Sequence, residues 1–205
     1  MCPQRHVPYL LIDMKRIELD IRRDALAVVE FSTMPAGLVA TDSATKASEV
    51  NMLFSGTVHP GKFLLAFEGG VAETELGIAA ARRSGRTALI DSIHLPFPHP
   101  QLRSSVPTAI GVEEPALLAI ETLTVPSLLG GLDRALKSTM VVLRHLQLAN
   151  DLGGKSVAVL EGSLPDIEAS ADYLKSEVSA LLLSDLQLLR RPTRQFIDSF
   201  IDGLR

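Results

Sequence analysis

Apolar and polar positions along this chain predict short strands and helices that follow one another in a fixed order. A buried strand is expected at 25–31, because the run is apolar and contains β-branched residues. Pro35 stands where the first turn of a helix tolerates proline, and this helix is expected to reach about Ala47 with Leu38 facing the core. A hairpin with a glycine-containing turn, a second helix and a last strand ending near Leu95 complete the unit.

The same order occurs a second time, and the two copies are related in sequence. At a constant spacing of 91 residues, nine positions of 25–46 carry the same residue as their counterparts in 116–137. Beyond the first helix the spacing becomes 93, so that Gly-Lys at 61–62 matches Gly-Lys at 154–155. A repeat of this length indicates one fold copied in tandem, and pseudo-symmetric chains tend to build rings.

Each copy has the order β-α-β-β-α-β, which predicts an α+β protein. Its two tandem ferredoxin-like domains would have antiparallel sheets with helices packed on them. The expected boundaries are 1–24 for an N-terminal extension, 25–97 for the first domain, 98–115 for a proline-rich linker, and 116–205 for the second domain with a C-terminal helix. A fold of this kind, by itself, specifies no function.

Composition and charge narrow the class of protein. The 205 residues are 46% hydrophobic but only 4% aromatic, so we expect the aliphatic excess to lie in flat subunit contacts. A net charge of −4 gives no electrostatic reason to expect nucleic acid or an anionic membrane as a partner. The single cysteine, Cys2, and the lack of a signal-peptide pattern or a bilayer-length apolar run favour a cytoplasmic protein.

The spacing of the repeated residues resembles a known family. A strand ending near Glu30, a helix that begins with proline and carries Asp42 and Lys46, and a hairpin with Gly-Lys resemble the bacterial microcompartment shell domain. Two copies in one chain resemble its tandem-domain members, and 55–65 is especially similar to the unpermuted propanediol-utilisation type. The resemblance covers residues 25–203.

This resemblance implies a structural protein without catalytic activity. Tandem-domain members form homotrimers that imitate hexamers, tile with other shell proteins into the facets of a shell, and pass small metabolites through a central pore. Face-to-face stacking of two trimers is a further possibility for such a tile.

The resemblance also implies a position for the hairpin loops. The pore-lining residues would be His59, Pro60 and Gly61 from the first repeat and Leu152, Gly153 and Gly154 from the second. Glycine amides there can bind passing solutes, and imidazole charge changes near neutral pH. Some relatives hold an iron–sulfur cluster through a cysteine at the His59 position. That cysteine is absent here, so no cofactor is expected; a metal held by three His59 side chains is the minor alternative, and a plain polar rim is another.

Two lysines recur at the end of the first helix of each repeat. Lys46 and Lys137 could serve only to favour the helix C-terminus. The resemblance implies instead that they lie at the tile edge, each packed against its counterpart in a neighbouring tile, with the stem flat and the ammonium near carbonyls. Asp42 and Asp133 are expected on a solvated helix face.

Two other classes of protein stay open. A trimeric small-molecule-binding or metal-binding regulatory protein on the same duplicated fold would have an effector pocket between its repeats. An enzyme could use the matched carboxylates Glu30 and Glu121. Equivalent positions in two domains favour a structural role, however, and the apolar neighbours Val28 and Val29 argue against a polar site around Glu30.

Overall fold

A computed structural model describes residues 17, 19–103 and 114–203, with side chains up to residue 199. The first repeat consists of β1 (Ala25–Phe31), α1 (Met34–Ala47), β2 (Asn51–Val58), β3 (Lys62–Gly69), α2 (Val71–Ser84) and β4 (Leu89–Pro96), and a short helix α3 (Pro100–Arg103) follows. The second repeat consists of β5 (Ala116–Thr122), α4 (Val125–Ser138), β6 (Val141–Leu148), β7 (Ser156–Gly162), α5 (Leu164–Glu177) and β8 (Leu183–Leu189), and α6 (Arg194–Gly203) closes the described chain.

Each repeat forms a four-stranded antiparallel sheet, and the two sheets have the same strand order. The orders are β2-β3-β1-β4 and β6-β7-β5-β8. In the register, Glu30 lies opposite Asp91 and Glu121 lies opposite Asp185, so these two pairs are equivalent. The predicted α+β fold with two tandem βαββαβ units is confirmed.

Helices α1 and α2 pack on one face of the first sheet. Small residues let α1 approach closely, since a Cβ atom at Gly37 would lie 2.1 Å from Cδ1 of Phe63. Leu38 is 51% exposed, so the prediction that it faces the core is wrong for a single chain. The inward positions of α1 belong to glycine and alanine, which turns Leu38 outward. Its counterpart Leu129 is 1% exposed, as predicted.

The end of the N-terminal extension covers the opposite face of the first sheet. Ile17 and Ile21 are buried in the core there. Glu68 accepts hydrogen bonds from the backbone N–H groups of Arg22 (2.6 Å) and Arg23 (2.9 Å), which fixes the chain before β1. Burial acts to raise the pKa of the Glu68 carboxyl, but hydrogen bonds to it outweigh that effect and lower the pKa.

The stretch predicted as a linker begins with structure of its own. Helix α3 follows β4 almost directly, and its Leu102 is buried in the core. Residues 104–113 lie outside the described part of the chain. Among the described helices, none has the length and apolar character required to cross a bilayer.

Candidate functional site

The two repeats meet where α4 of the second repeat packs on β4 and β1 of the first. Thr124 caps α4, because its Oγ1 accepts a hydrogen bond from the Ser127 N–H at 3.4 Å. Both hydroxyl groups donate to Oδ2 of Asp91, Thr124 at 2.5 Å and Ser127 at 2.6 Å. The start of α4 is therefore held by a carboxylate from the other repeat, where the helix dipole favours negative charge. We call this contact the repeat junction.

Glu30 lies at the centre of the repeat junction and its side chain is fully buried. Its Oε1 accepts a hydrogen bond from the Val125 N–H at 2.6 Å, and its Oε2 lies 3.2 Å from Nζ of Lys62. Burial raises the pKa of the Glu30 carboxyl, while the Val125 N–H and the Lys62 ammonium limit that rise. Because this carboxylate is fully buried and bonded to both repeats, it holds the two repeats together and is not accessible to a substrate.

Lys62 lies at the repeat junction, although the sequence analysis gave it no role there. Besides its ion pair with Glu30, its ammonium donates to the carbonyl of Leu123 at 2.5 Å and to that of Gly154 at 3.1 Å. It thus joins the first hairpin to both the start of α4 and the second hairpin. The sequence signal for this role was the Gly-Lys pair that recurs at the hairpin of both repeats. Neither helix nor strand periodicity accounts for this recurrence.

The predicted loop residues of the two repeats come together beside this lysine. Gly154 is buried, and a Cβ atom on it would lie 2.3 Å from the carbonyl oxygen of His59. Its φ of 77° also favours glycine. His59, Pro60, Gly61 and Gly153 are exposed, whereas Leu152 is half-buried.

The two predicted edge lysines have different surroundings. Lys46 pairs with Asp42 at 2.7 Å on an exposed part of α1. Lys137 pairs with Asp133 at 2.6 Å and lies 3.5 Å from the carbonyl oxygen of Pro96. The prediction that Asp133 is solvated is wrong: it is buried, because the segment after β4 covers it and the His99 N–H donates to it at 2.8 Å.

The counterpart of the repeat junction at the other end of the chain is open. Glu121 accepts hydrogen bonds from the Lys155 ammonium at 2.7 Å and from the Ser184 hydroxyl at 2.6 Å, and it remains partly exposed. The hydrogen bond from Lys155, with that from Ser184, lowers the pKa of the Glu121 carboxyl. No helix of the described chain covers Glu121 in the way that α4 covers Glu30.

The helix that would match α4 in such a contact is α1, and its outer face is apolar. Met34, Leu38 and Val39 are each about half exposed. Their counterparts at a spacing of 91 are Val125, Leu129 and Gly130, of which the first two are buried. One chain thus carries a complete junction, together with an exposed apolar helix face and a partly exposed carboxylate that match its two sides in sequence.

The described residues of one chain hold no group of three histidine, cysteine or acidic side chains placed to bind a metal. A metal held by His59, the minor alternative, would in any case need three chains.

Comparison with known proteins gives consistent results. Residues 25–98 match the BMC domain family. The bacterial microcompartment shell protein PduT of Citrobacter freundii is 31% identical over 181 residues, which span 87% of this chain and 98% of that protein.

Solved structures agree with this sequence relationship. A microcompartments protein from Desulfitobacterium hafniense has a TM-score of 0.67 and 27% identity, over 86% of this chain and 99% of its own. A fused permuted hexameric shell protein from the RMM microcompartment has a TM-score of 0.57 over 78% of this chain and 84% of its own; at 16% identity it supports the fold alone. With a relative of 31% identity matched over nearly its whole length, the chain belongs to the bacterial microcompartment shell proteins.

Proposed function

We propose that this shell protein is a non-catalytic tile, formed by three chains that meet head to tail around a central pore. The observation that carries the proposal is the open junction. The exposed apolar face of α1 and the exposed surface around Glu121 match the two sides of the closed repeat junction. In a head-to-tail ring, α1 of each chain would cover Glu121 of the preceding one.

Such a contact is heterologous, and heterologous contacts make closed rings when the rotation per step divides a full turn. Two repeats in each of three chains would supply six equivalent positions. The same geometry at every position would pair Glu121 with the N–H of Met34, as Glu30 pairs with that of Val125. All six junctions would then be covered.

The hairpin loops support a pore at the centre of this ring. His59 contacts Gly154 beside the repeat junction, so the loops of successive repeats lie side by side. Repeated around the ring, this contact would surround an axis with His59, Pro60 and Gly61 alternating with Leu152, Gly153 and Gly154. The opening would present imidazole groups and exposed glycine backbone to small metabolites.

Lys46 and Lys137 support the assembly of tiles into a facet with other shell proteins. Both extend from the last turn of a helix in matched positions, and each already has an acidic partner four residues earlier. Lys46→Asp would place like charges along the edge on an exposed helix, whereas Lys137 is left in place because it pairs with the buried Asp133. We expect sheets to be lost while trimers persist, and unaltered sheets would contradict the edge role.

The first experiment measures mass by light scattering and then images the same fraction by electron microscopy. A mass three times that of the 22.1 kDa chain, with six-lobed discs, supports the tile, and twice that mass indicates stacked trimers. A monomer or dimer that never forms discs would refute it.

Pore position can be tested in the same images. A gold-maleimide label on His59→Cys, in a Cys2→Ser background, should mark the centre of the disc. The control is Met140→Cys, at an exposed position away from the loops, which should mark the periphery. Label at the rim for His59→Cys would contradict the pore assignment.

A further inference from the structure

The segments that follow the last strand of each repeat are related in sequence. The register pairs Leu95 with β1 and Leu189 with β5 in the same way, which sets a spacing of 94. At this spacing three further pairs are alike, two of them identical: Pro98 with Pro192, Gln101 with Gln195, and Leu102 with Phe196. Helices α3 and α6 begin at matched positions, 100 and 194.

In the first repeat this segment docks on the second repeat. The side-chain amide of Gln101 donates to the carbonyl of Val141 at 3.0 Å and accepts from the Leu143 N–H at 2.7 Å. Both partners belong to β6, the edge strand of the second sheet. The amide therefore makes the donor and acceptor hydrogen bonds that the backbone of a neighbouring strand would make. Leu102, at 5% exposed, packs in the core beneath it.

In the second repeat the matching segment makes few contacts with the other described residues. Helix α6 has no extensive contact with another helix or strand of the described residues. Its first turn is well formed, since the Phe196 N–H donates to the Thr193 hydroxyl at 3.3 Å. Gln195 is exposed and Phe196 is 43% exposed. A capped amphipathic helix is thus presented with the same Gln-apolar pair that docks in the first repeat.

The surface that would receive α6 is on the first repeat. Strand β2 is the edge strand of its sheet, as β6 is of the other. Val50 and Met52 match Val141 and Leu143 at a spacing of 91, and both strands have an irregularity just after this point. The corresponding acidic residue, Asp42, is exposed in the single chain, whereas its counterpart in the docked repeat is covered.

We propose that α6 is a clasp between subunits, with a second copy of this chain as its partner. Gln195 of one chain binds the outer edge of β2 on the next through the Val50 carbonyl and the Met52 N–H. Phe196 takes the place that Leu102 occupies inside the chain. This inference rests on the head-to-tail trimer, and it adds that the C-terminal helix holds each chain to its neighbour outside the central junction.

The test is site-directed cross-linking of the full chain in a Cys2→Ser background. Met52→Cys combined with Gln195→Cys is treated with a short bismaleimide, after light scattering has established the mass. We expect covalent dimers and trimers on a denaturing gel. The matched control, Leu143→Cys with Gln101→Cys, should cross-link within one chain and run as a monomer.

The outcomes separate the clasp from the tile. A trimer whose Met52–Gln195 variant gives no cross-link, or only an intramolecular one, overturns the clasp and leaves the tile intact, provided that the control cross-links. A monomer in solution overturns both proposals. Covalent links between chains in a trimer support the clasp.

A second measurement uses the stability of the assembly. Gln195→Ala should raise the concentration at which trimers dissociate about tenfold, since two hydrogen bonds between subunits are lost. Asp198→Ala, an exposed change on the same helix, should leave that concentration unchanged. Equal dissociation of the natural chain and Gln195→Ala would overturn the clasp.

Discussion

The closed junction around Glu30 and the open one around Glu121 are built from matched residues in different environments. Glu30 is buried beneath the start of α4, and the pKa of its carboxyl is raised by that burial. Glu121 has the corresponding lysine but no covering helix among the described residues, and the pKa of its carboxyl is lowered. The difference teaches that the chain covers one of these matched carboxylates by itself, and that under the proposed ring the other would be covered by a second chain.

The same contrast applies to the helices that face these carboxylates. Helix α4 buries apolar residues on both its sheet side and its junction side, whereas α1 leaves its junction side exposed. A soluble monomer gains nothing from a half-exposed row of Met34, Leu38 and Val39. Substitutions at matched positions therefore distinguish what stabilises one chain from what holds chains together.

The largest effect is expected for an acidic group placed in α4. Leu129→Asp would bury a carboxylate without a partner, so the chain should lose more than about 4 kcal/mol or fail to fold. Leu38→Asp, its counterpart, should stay folded but run as a monomer, because the change affects only the open face. Circular dichroism tests whether each variant folds, and light scattering measures its mass. A trimeric Leu38→Asp variant would contradict the assignment of that face.

The next effect comes from removing the matched carboxylates. Glu30→Ala leaves the Val125 N–H and the Lys62 ammonium without their buried partner and should lower the free energy of unfolding by about 3 kcal/mol. This loss should not depend on protein concentration. Glu121→Ala should instead lower stability mainly where trimers form. Urea unfolding at two protein concentrations tests this, and identical behaviour of the two variants would be evidence against an open junction.

A smaller effect is expected in the loops. Gly153 and Gly154 both have positive φ, but only Gly154 contacts the other repeat. Gly153→Ala should cost about 1 kcal/mol from the left-handed backbone alone. Gly154→Ala should cost about 2 kcal/mol, because its Cβ would also displace His59. Equal losses in thermal unfolding would show that the two hairpins do not press on each other.

The smallest effect concerns pH, and it has opposite signs at the two junctions. The pKa of Glu30 is raised above its ordinary value of 4.5 in the folded chain, so its contribution to stability is full below that pH and is lost as the pH rises through the folded pKa. The pKa of Glu121 is lowered, so its contribution is present above 4.5 and is lost as the pH falls.

Variants at the two junctions isolate these contributions. Unfolding of dilute protein from about pH 4 to about pH 7 should show the natural chain losing stability relative to Glu30→Gln as the pH rises. Relative to Glu121→Gln, the natural chain should lose stability as the pH falls. The same sign for both variants would contradict the difference in burial.

Much of the fold was accessible from the sequence. Prolines after apolar runs gave the starts of α1 and α4, and the repeat spacing tied each element to its counterpart. The final strands were expected from Thr87 and Ala180 but begin at Leu89 and Leu183, because a turn occupies the residues before each of them. Local patterns identify elements well but locate their ends less well, since the turns that end them depend on tertiary contacts.

The residues of the loops and junctions show what local sequence patterns do not predict. The family resemblance grouped the His59 and Gly154 loops around one pore, but no pattern in the sequence indicated that Gly154 packs directly against the His59 carbonyl. Leu38 and Leu129 carry the same residue at matched positions, so no pattern could distinguish an open face from a closed one. Asp133 looked like any charged residue on a helix, and its burial follows from the segment after β4.

The sequence by itself determined the duplication, the order of elements and the family, because these depend on residue identity and spacing along the chain. The tertiary structure alone decided which copy of each matched pair is covered, since burial depends on the element that packs across from it. It also revealed that Lys62 links the two hairpins through hydrogen bonds, and that α6, the counterpart of α3, makes few contacts with the other described residues. Identical residues differ here because one junction lies within the chain, where covalent connection brings its halves together, whereas the other, in the proposed ring, would need a second chain.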